Sequence, residues 1–225
     1  QRPGASLTRA ALGLGRLAPR RVGLLGGSFG PAHAGHRHIS IEALKRLNLD
    51  EVWWLVAPQN PLKPESGMAR LGRRLAAAAA VARHPRIRVV DIETRLGTRF
   101  TADTLAQLQK VLPRVHFVWL MGADNLAQIH QWRRWQEIFL RLPIAVFARP
   151  TYCHKALSSP AARRFARWRR GAEATGRLAE TPPPAWVFLP VRLDARSATA
   201  IRSRGSMSGE GRKAPRKGPV KSNVR

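Results

Sequence analysis

Two histidines at the end of a glycine-rich segment are the side chains best suited to chemistry in this chain. The segment Gly26–His38 reads GGSFGPAHAGHRH and contains His33 and His36. Its glycines let the backbone approach a ligand closely, and a helix beginning here would offer free N–H groups and a positive dipole end. Imidazoles beside those groups can donate hydrogen bonds to phosphate oxygens and stabilise charge that develops during transfer. The motif therefore indicates phosphate chemistry.

Two other interpretations of these histidines remain open. A His-x-x-His pair can place two metal ligands near each other, although no carboxylate adjoins the pair in the sequence. His36 also shares an apolar helical stripe with Ser40, Ala43 and Leu47, which is typical of a buried structural histidine. The segment is neither a Walker loop nor a dinucleotide fingerprint, because the Gly-Lys-Ser/Thr ending is missing and the glycine spacing differs.

The elements that must position these residues alternate between strands and helices. Apolar runs predict strands at 21–27, 51–57, 87–92, 115–121, 144–148 and 186–189. Helical spacing predicts helices at 35–47, 68–83, 101–112 with Thr101 as N-cap, 123–140 with a break near His130, and a basic helix within 155–185, ahead of Pro182. This order predicts an α/β fold, a Rossmann-like doubly wound parallel sheet with helices on both faces. Such sheets bind ligands at the carboxyl ends of their strands.

Net charge is the unusual property of the chain. The 225 residues carry 40 Lys and Arg against 13 Asp and Glu, a formal charge of +27, which favours an acidic substrate or a polyanionic partner. We predict one domain at residues 21–203, a basic, disordered N-terminal extension at 1–20 and a disordered basic tail at 204–225. The extension also lacks acidic residues, as organelle transit peptides do.

Cysteine and hydropathy restrict the class of protein further. Cys153 is the single cysteine, so neither an internal disulfide nor a multi-cysteine zinc site is possible. No apolar run approaches the roughly 20 residues of a membrane span. We expect a cytoplasmic protein, because no clear export signal is visible.

Two motifs in the expected order resemble the nucleotidyltransferase superfamily. His33-Ala34-Gly35-His36 matches its His-x-Gly-His signature, and the segment Arg196–Arg202 (RSATAIR) matches its Ser/Thr-rich second signature. Within the superfamily, the middle of the chain is similar to bacterial nicotinate-nucleotide adenylyltransferases at Pro58–Lys63, Thr101–Leu105 and Gly122–Leu126. The resemblance covers roughly residues 21–203 and neither tail.

The family differs from this chain at one position of the first motif. Gly30 stands where the family usually has Asp or Asn. Glycine can keep the turn but provides no side-chain hydrogen bond.

The resemblance implies a set of ATP contacts. His36 would act on the α-phosphate and the charge developing there, with His33 contacting the phosphates from the same loop. The remaining implied ATP contacts are Gly26, Gly27, Ser28, Phe29, Lys63, Asp124, Ser197, Thr199 and Arg202. Two of these have alternatives that stay open: Lys63 as a solvated loop lysine and Asp124 as a helix N-cap.

The resemblance also implies the second substrate. Trp132 would stack on a pyridine ring, while Thr101 and the backbone around Arg133 would bind its carboxylate. The implied reaction joins nicotinate mononucleotide to ATP by in-line attack and releases pyrophosphate. Mg²⁺ would be carried by ATP, without a dedicated protein metal site.

Alternatives to this function are also open. Another adenylyltransferase would use nicotinamide mononucleotide or phosphopantetheine as acceptor. A protein of a different class would be a basic nucleic-acid-binding protein. The basic tails also suggest non-specific contact with polyanions.

Overall fold

The computed structural model describes residues 20–58, 69–149 and 151–191. Seven parallel strands form one sheet in the order β3-β2-β1-β4-β5-β7-β6. The direction of strand addition reverses between β1 and β4, which places a crevice at their carboxyl ends. The strands are β1 Arg21–Gly27, β2 Glu51–Val56, β3 Ile87–Val90, β4 His116–Gly122, β5 Ile144–Phe147, β6 Arg169–Arg170 and β7 Trp186–Leu189.

Eight helices and three 3₁₀ segments connect the strands within the described ranges. The helices are α1 Ala34–Arg46, α2 Leu71–Ala82, α3 Ile92–Leu96, α4 Thr101–Val111, α5 Ala123–Gln128, α6 Trp135–Arg141, α7 Cys153–Leu157 and α8 Pro160–Arg164. The 3₁₀ segments are Ile129–Gln131, Ala166–Trp168 and Ala172–Glu180.

Each face of the sheet is covered by its own apolar core, because side chains alternate along a strand. On β2, Trp53 and Leu55 pack into one core with α4, α5 and α6. Trp54 and Val56 pack into the other core with α1 and α2. Since both faces are buried, the strands carry continuous apolar runs rather than alternating patterns. The doubly wound parallel α/β sheet predicted from the sequence is therefore confirmed.

Several local predictions were wrong. The helix α4 has Phe100 as its N-cap and no side-chain cap, so Thr101 is its first residue rather than its cap. The predicted basic helix within 155–185 is replaced by α7, α8, 3₁₀ turns and the short strand β6. Tertiary packing of Phe165 against Phe139, with ring centroids 4.3 Å apart, overrides helix propensity there. None of the described helices is long and apolar enough to cross a membrane.

Candidate active site

A cleft of about 600 Å³ opens at the carboxyl ends of the strands, where β1 and β4 diverge. Most of its lining comes from three parts of the chain: the end of β1 with the loop and helix start after it, the segment from α3 to the start of α4, and the segment from β4 to Arg133. Ala57 after β2 and Arg149 after β5 complete the lining. A cleft of this size at this position in a parallel sheet is the usual place for a ligand.

The two histidines of the first motif cap the helix α1. His33 is the N-cap, and its Nδ1 accepts a hydrogen bond from the Gly35 N–H at 3.1 Å. His36 reaches back, and its Nδ1 accepts the N–H of His33 at 3.2 Å. This is the reciprocal pattern of a capping box, with imidazoles where Ser/Thr and Glu usually stand. The three-residue spacing of the histidines is therefore a requirement of helix geometry.

Gly35 is needed because His33 lies over it. A Cβ on residue 35 would sit 2.9 Å from both Nδ1 and Cε1 of His33, which is closer than packing allows. The absence of a side chain lets the imidazole approach the backbone N–H that it accepts. His33, Gly35 and His36 thus form one structural unit: the two histidines supply the capping acceptors, and the glycine leaves room for the His33 ring.

The capping bonds determine which nitrogen of each ring is a donor. Because Nδ1 of His33 and Nδ1 of His36 accept backbone N–H groups, a neutral ring must carry its proton on Nε2. Burial, followed by the nearby charges of His33 and Arg149, lowers the pKa of His36 to about 3. Burial also lowers the pKa of His33, followed by the effect of Arg149. Both rings are therefore neutral Nε2–H donors near pH 7, with centroids 3.9 Å apart.

Phe29 packs against the His36 ring. It adopts φ 46°, in the left-handed region, which places its side chain inward at 2% exposure. Its ring stacks on Trp54 at 5.0 Å and touches His36 at 4.8 Å. The buried Ser40 hydroxyl accepts the Trp54 Nε1–H and donates to the His36 carbonyl. The position of His36 is thus determined by the core.

A buried arginine ties the loop after β1 to the loop after β2. Arg74 of α2 is 3% exposed, and its guanidinium donates to the carbonyls of Ser28 and Ala57, each at 2.7 Å. It also donates to the carbonyls of Ala69 and Pro58 at 2.9 and 2.7 Å. Hydrogen bonds to a charged donor contribute about 1.5–3 kcal/mol each. Arg74 therefore holds the loop that carries Ser28 in place.

An ion pair lies at the end of β4, close enough to His33 for both charges to act on its pKa. Asp124 Oδ1 is 3.4 Å from Arg149 Nε, and this buried oxygen has no hydrogen-bond partner of good geometry among the described residues. A Cβ on Gly122 would collide with Asp124 Oδ1, so glycine makes room for the carboxylate. Gly122, not Asp124, is the N-cap of α5, so the N-cap alternative for Asp124 is wrong. Asp124 keeps a lone pair available for a ligand.

The other end of the cleft is aromatic and basic. Trp132 stands edge-to-face against Trp119 at 6.5 Å. Arg133 lies over the Phe100 ring at 4.8 Å, and Arg99 lies 5.9 Å from the same ring. The N-terminus of α4 opens at the same place and has no side-chain cap. A flat ring with an acidic substituent fits this surface, because the tryptophan offers a stacking face and the arginines and free N–H groups attract an anion.

Comparisons with known proteins agree with this geometry. The cytidylyltransferase-like family model matches residues 24–204. A protein of Cereibacter sphaeroides named probable nicotinate-nucleotide adenylyltransferase is 59% identical over 184 residues, which cover 82% of this chain and 97% of that protein. Proteins of the same name from Roseobacter denitrificans and a Bradyrhizobium strain are 55% and 51% identical over 82% and 81% of this chain and 92% and 95% of theirs. The chain belongs to the nicotinate-nucleotide adenylyltransferase family.

A solved structure shares the fold of this family member. It is Plasmodium falciparum nicotinic acid mononucleotide adenylyltransferase complexed with NaAD, with a TM-score of 0.59 at 14% sequence identity. The match covers 81% of this chain and 83% of that chain. A second structure of the same enzyme, complexed with APC, gives 0.57 over 82% and 83%. At this identity the likeness concerns the fold, and it agrees with the parallel α/β sheet described above.

The structure brings most of the predicted site residues into one cleft. All of the following line it: Gly26, Gly27, Ser28, Phe29, His33, His36, Thr101, Asp124, Trp132 and Arg133. Lys63, Ser197, Thr199 and Arg202 lie outside the described residues, as do the two predicted terminal segments except for Arg20. The glycine at position 26 has a reason that the sequence did not suggest: a Cβ there would collide with the Trp119 indole.

Sequence reasoning missed several residues at or beneath the cleft, among them Arg99 and Phe100 at its aromatic end. Arg149 and Glu93 line it, as does Trp119, which the pattern of β4 assigns only to the core. Arg74 stands beneath it in an alanine-rich helix where a buried arginine is unexpected. A signal existed only for Arg149, which directly follows a buried strand.

The Gly30 turn has room for a larger residue, because a Cβ there would meet only the Arg74 Cδ, at 3.6 Å.

Proposed function

We propose that the chain transfers the adenylyl group of ATP to nicotinate mononucleotide in this cleft, giving nicotinate adenine dinucleotide and pyrophosphate, as a step in NAD biosynthesis. The observation that carries the assignment of the site is the pair of neutral Nε2–H donors on His33 and His36, at the end of a cleft whose other end is aromatic and basic. The 51–59% identity to the named relatives supports the substrates.

The chemistry needs positioning more than a protein nucleophile. The phosphate of the mononucleotide is largely ionised at pH 7 and attacks the α-phosphorus while pyrophosphate leaves. His36, the more deeply fixed of the pair, would donate its Nε2–H to an α-phosphate oxygen as negative charge accumulates there. His33 would donate to a neighbouring phosphate oxygen. Fixed donors that need no reorganisation at the moment of reaction are an effective way to stabilise such charge.

The backbone of the loop after β1 would lie along the nucleotides. Gly27 and Ser28 line the cleft, and Arg74 holds the Ser28 carbonyl away from it at 2.7 Å. The Asp124 carboxylate would accept hydrogen bonds from a ribose hydroxyl, since its Oδ1 is buried and short of a partner. Lys63, Ser197, Thr199 and Arg202 complete the proposed set of ATP contacts on the strength of the motifs alone.

The acceptor would bind at the Trp132 end. The pyridine ring would stack on the indole, and its carboxylate would meet the N-terminus of α4 at Thr101 and the side chain or backbone of Arg133. An anion-favouring end of the cleft supports nicotinate over nicotinamide as the ring.

A divalent metal, which we propose is Mg²⁺, would arrive on the ATP phosphates and neutralise part of their charge. In the described part of the chain, no three His, Cys, Asp or Glu side chains group together as a metal cage does. The carboxylates lining the cleft there are Asp124, paired with Arg149, and Glu93. This donor set suits a metal that keeps its waters and its phosphate ligands, as Mg²⁺ does.

Pyrophosphate release with Mg-ATP tests the proposal. The acceptors are nicotinate mononucleotide, nicotinamide mononucleotide and phosphopantetheine, each with the wild-type chain and with His36→Ala. We expect turnover with nicotinate mononucleotide and its collapse in the variant. Preference for another acceptor would keep the cleft and the mechanism but overturn the substrate. Absence of turnover with every acceptor would overturn the enzymatic assignment.

The net charge of +27 motivates a second, subordinate proposal. The basic segments at both ends would give non-specific, salt-dependent contact with polyanions such as RNA. RNA binding measured against salt, with and without residues 204–225, tests this. We expect deletion of the tail to weaken binding without changing turnover. We also expect the enzyme to work in the cytoplasm, where ATP is available.

A further inference from the structure

Glu93 is a buried carboxyl at the wall of the substrate cleft. It belongs to α3, is 8% exposed, and lines the cleft together with Thr101 and Trp132. Among the described residues none forms a hydrogen bond or ion pair with its side chain, and burial raises its pKa to about 7. A largely buried carboxyl without a protein partner is costly, and a ligand in the cleft can provide the missing partner.

The backbone joins Glu93 rigidly to the start of α4. The Glu93 carbonyl accepts the N–H of Thr98 at 3.0 Å. The hydroxyls of Thr98 and Thr104 are 2.7 Å apart, and Thr104 Oγ1 donates to the Phe100 carbonyl. The segment from Glu93 to Thr104 is therefore one hydrogen-bonded unit, and Glu93 and Thr101, the first residue of α4, line the same cleft.

Other charged groups near α3 are already paired or carry a fixed charge. The helix packs against α4 and β2. On α4, Asp103 pairs with Arg134 at 2.6 Å, and Lys110 lies in the last turn. On β2, Glu51 accepts the Trp53 Nε1–H and faces Arg88, and within α3 itself Arg95 pairs with Asp91. The cleft adds the following groups: Arg99, Arg133, Arg149, Asp124, His33 and His36.

We propose that Glu93 is a specificity-determining residue that lets this cleft distinguish a carboxylate from a carboxamide on the pyridine ring. This inference rests on the proposed function. Protonated, Glu93 donates its O–H to the nicotinate carboxylate at the N-terminus of α4. Ionised, it repels that carboxylate but accepts an N–H of a carboxamide. Binding of nicotinate mononucleotide then takes up one proton at Glu93, and binding of the nicotinamide nucleotide does not.

The test compares the two nucleotides as a function of pH. Both carry the same phosphate, so the effect of its ionisation on binding cancels in the ratio of their Kd values. The full chain is titrated with each nucleotide alone, using quenching of tryptophan fluorescence for Kd, and KM and kcat are measured with Mg-ATP. For wild type, the ratio of the nicotinate Kd to the nicotinamide Kd should rise at least about tenfold from pH 6 to pH 8, since the protonated fraction of Glu93, which binds the carboxylate, falls about tenfold around a pKa of about 7.

Glu93→Gln is the decisive variant, and Glu173→Gln, an exposed glutamate that does not line the cleft, is its matched control. In Glu93→Gln the ratio should be flat with pH, and at pH 8 nicotinate mononucleotide should bind about tenfold more tightly than to wild type. The control should keep the wild-type slope. An unchanged slope in Glu93→Gln, or an equal slope for both nucleotides, would sink the inference.

Failure of the inference is distinguishable from failure of the proposed function. If wild type turns over nicotinate mononucleotide but its Kd ratio has no slope, the function stands and the role of Glu93 is wrong. If wild type neither binds nor turns over either nucleotide, the proposed function is wrong, and this inference with it. Should Glu93→Gln lose its fold on heating curves, the wild-type slope decides alone.

Discussion

The two walls of the cleft differ in how their polar groups are satisfied. At the wall formed by the loop after β1, one ring nitrogen of His33 and one of His36 accept the N–H groups that cap α1. Arg74 donates to the Ser28 carbonyl of the same loop. At the opposite wall, Glu93 and the Trp119 Nε1–H have no partner among the described residues. The first wall is organised before any ligand arrives, as chemistry requires. The second keeps unpaired groups, as recognition of a ligand requires.

His36→Ala should have the largest effect, because it removes a donor from the organised wall. We expect kcat to fall about 10²–10³-fold, the loss typical of one missing donor to a developing oxyanion. KM should change less, since the charge appears mainly in the transition state. Pyrophosphate release measures both. His154→Ala, on an exposed histidine outside the cleft, is the control. An equal loss in both variants would contradict the role of His36.

Gly35→Ala tests whether the organisation itself matters. The new Cβ would push the His33 ring, 2.9 Å away, off the N–H that it accepts. We expect a loss of about 1–3 kcal/mol in the free energy of unfolding, measured with urea, together with reduced turnover. Gly72→Ala is matched to it, since nothing lies within 4 Å of a Cβ there and α2 should be slightly stabilised. Similar behaviour of the two variants would refute the capping argument.

Acid should weaken the organised wall. The pKa of His36 is about 3 in the folded chain, against 6.5 ordinarily, so the unfolded chain binds a proton first as pH falls. The resulting stability is complete above pH 6.5 and is lost from there toward pH 3, with about 2 kcal/mol lost by pH 5. His36→Asn cannot titrate, and its Oδ1 can still accept the His33 N–H. Glu93, whose pKa burial raises to about 7, takes up a proton over the same pH range and offsets this loss in both proteins. In melting curves at pH 7 and 5, the change in stability should therefore be less favourable for wild type than for the variant; equal changes would contradict the prediction.

Trp132→Ala should have the smallest effect and should change a different kinetic constant. Trp132 belongs to the second wall, which keeps unpaired groups for the ligand and is called the recognition wall below. Loss of ring stacking should raise KM for nicotinate mononucleotide about tenfold, which corresponds to 1.4 kcal/mol, and leave kcat nearly unchanged. The KM for ATP should stay the same. Trp132→Phe should recover most of the loss. A fall in kcat without a change in KM would place Trp132 with the organised wall instead.

The two walls also differ in how well the sequence predicts them. The histidine wall is local: thirteen consecutive residues contain the strand end, the cap and the helix start, so its pattern is readable. The recognition wall is assembled from α3, α4 and the segment after β4, and its key carboxyl is an ordinary glutamate within IETRL. Only the early end of β3 at Val90 and the turn into α3 bring Glu93 to the cleft.

The sheet was predictable and several helix details were not, for related reasons. Buried parallel strands such as β4 are visible in the sequence as continuous apolar runs, whichever strands they pair with. The segment from Lys155 to Arg177 has helix-forming residues, but Phe165 packs on Phe139 and Trp186 donates to the Phe165 carbonyl, so the chain bends to keep those contacts. The burial of Arg74 could not be predicted, because its hydrogen-bond partners are backbone carbonyls, which are present in every sequence.

Arg74 has a consequence for the motions of the protein. One guanidinium holds the carbonyls of Ser28 and Ala57, so the loop after β1 cannot loosen without releasing a charged side chain of α2 from its partners. Coupling between sites is reciprocal. A nucleotide that orders Ser28 must therefore also slow the opening of α2, and hydrogen exchange of amides along that helix would report occupancy of a cleft it does not line.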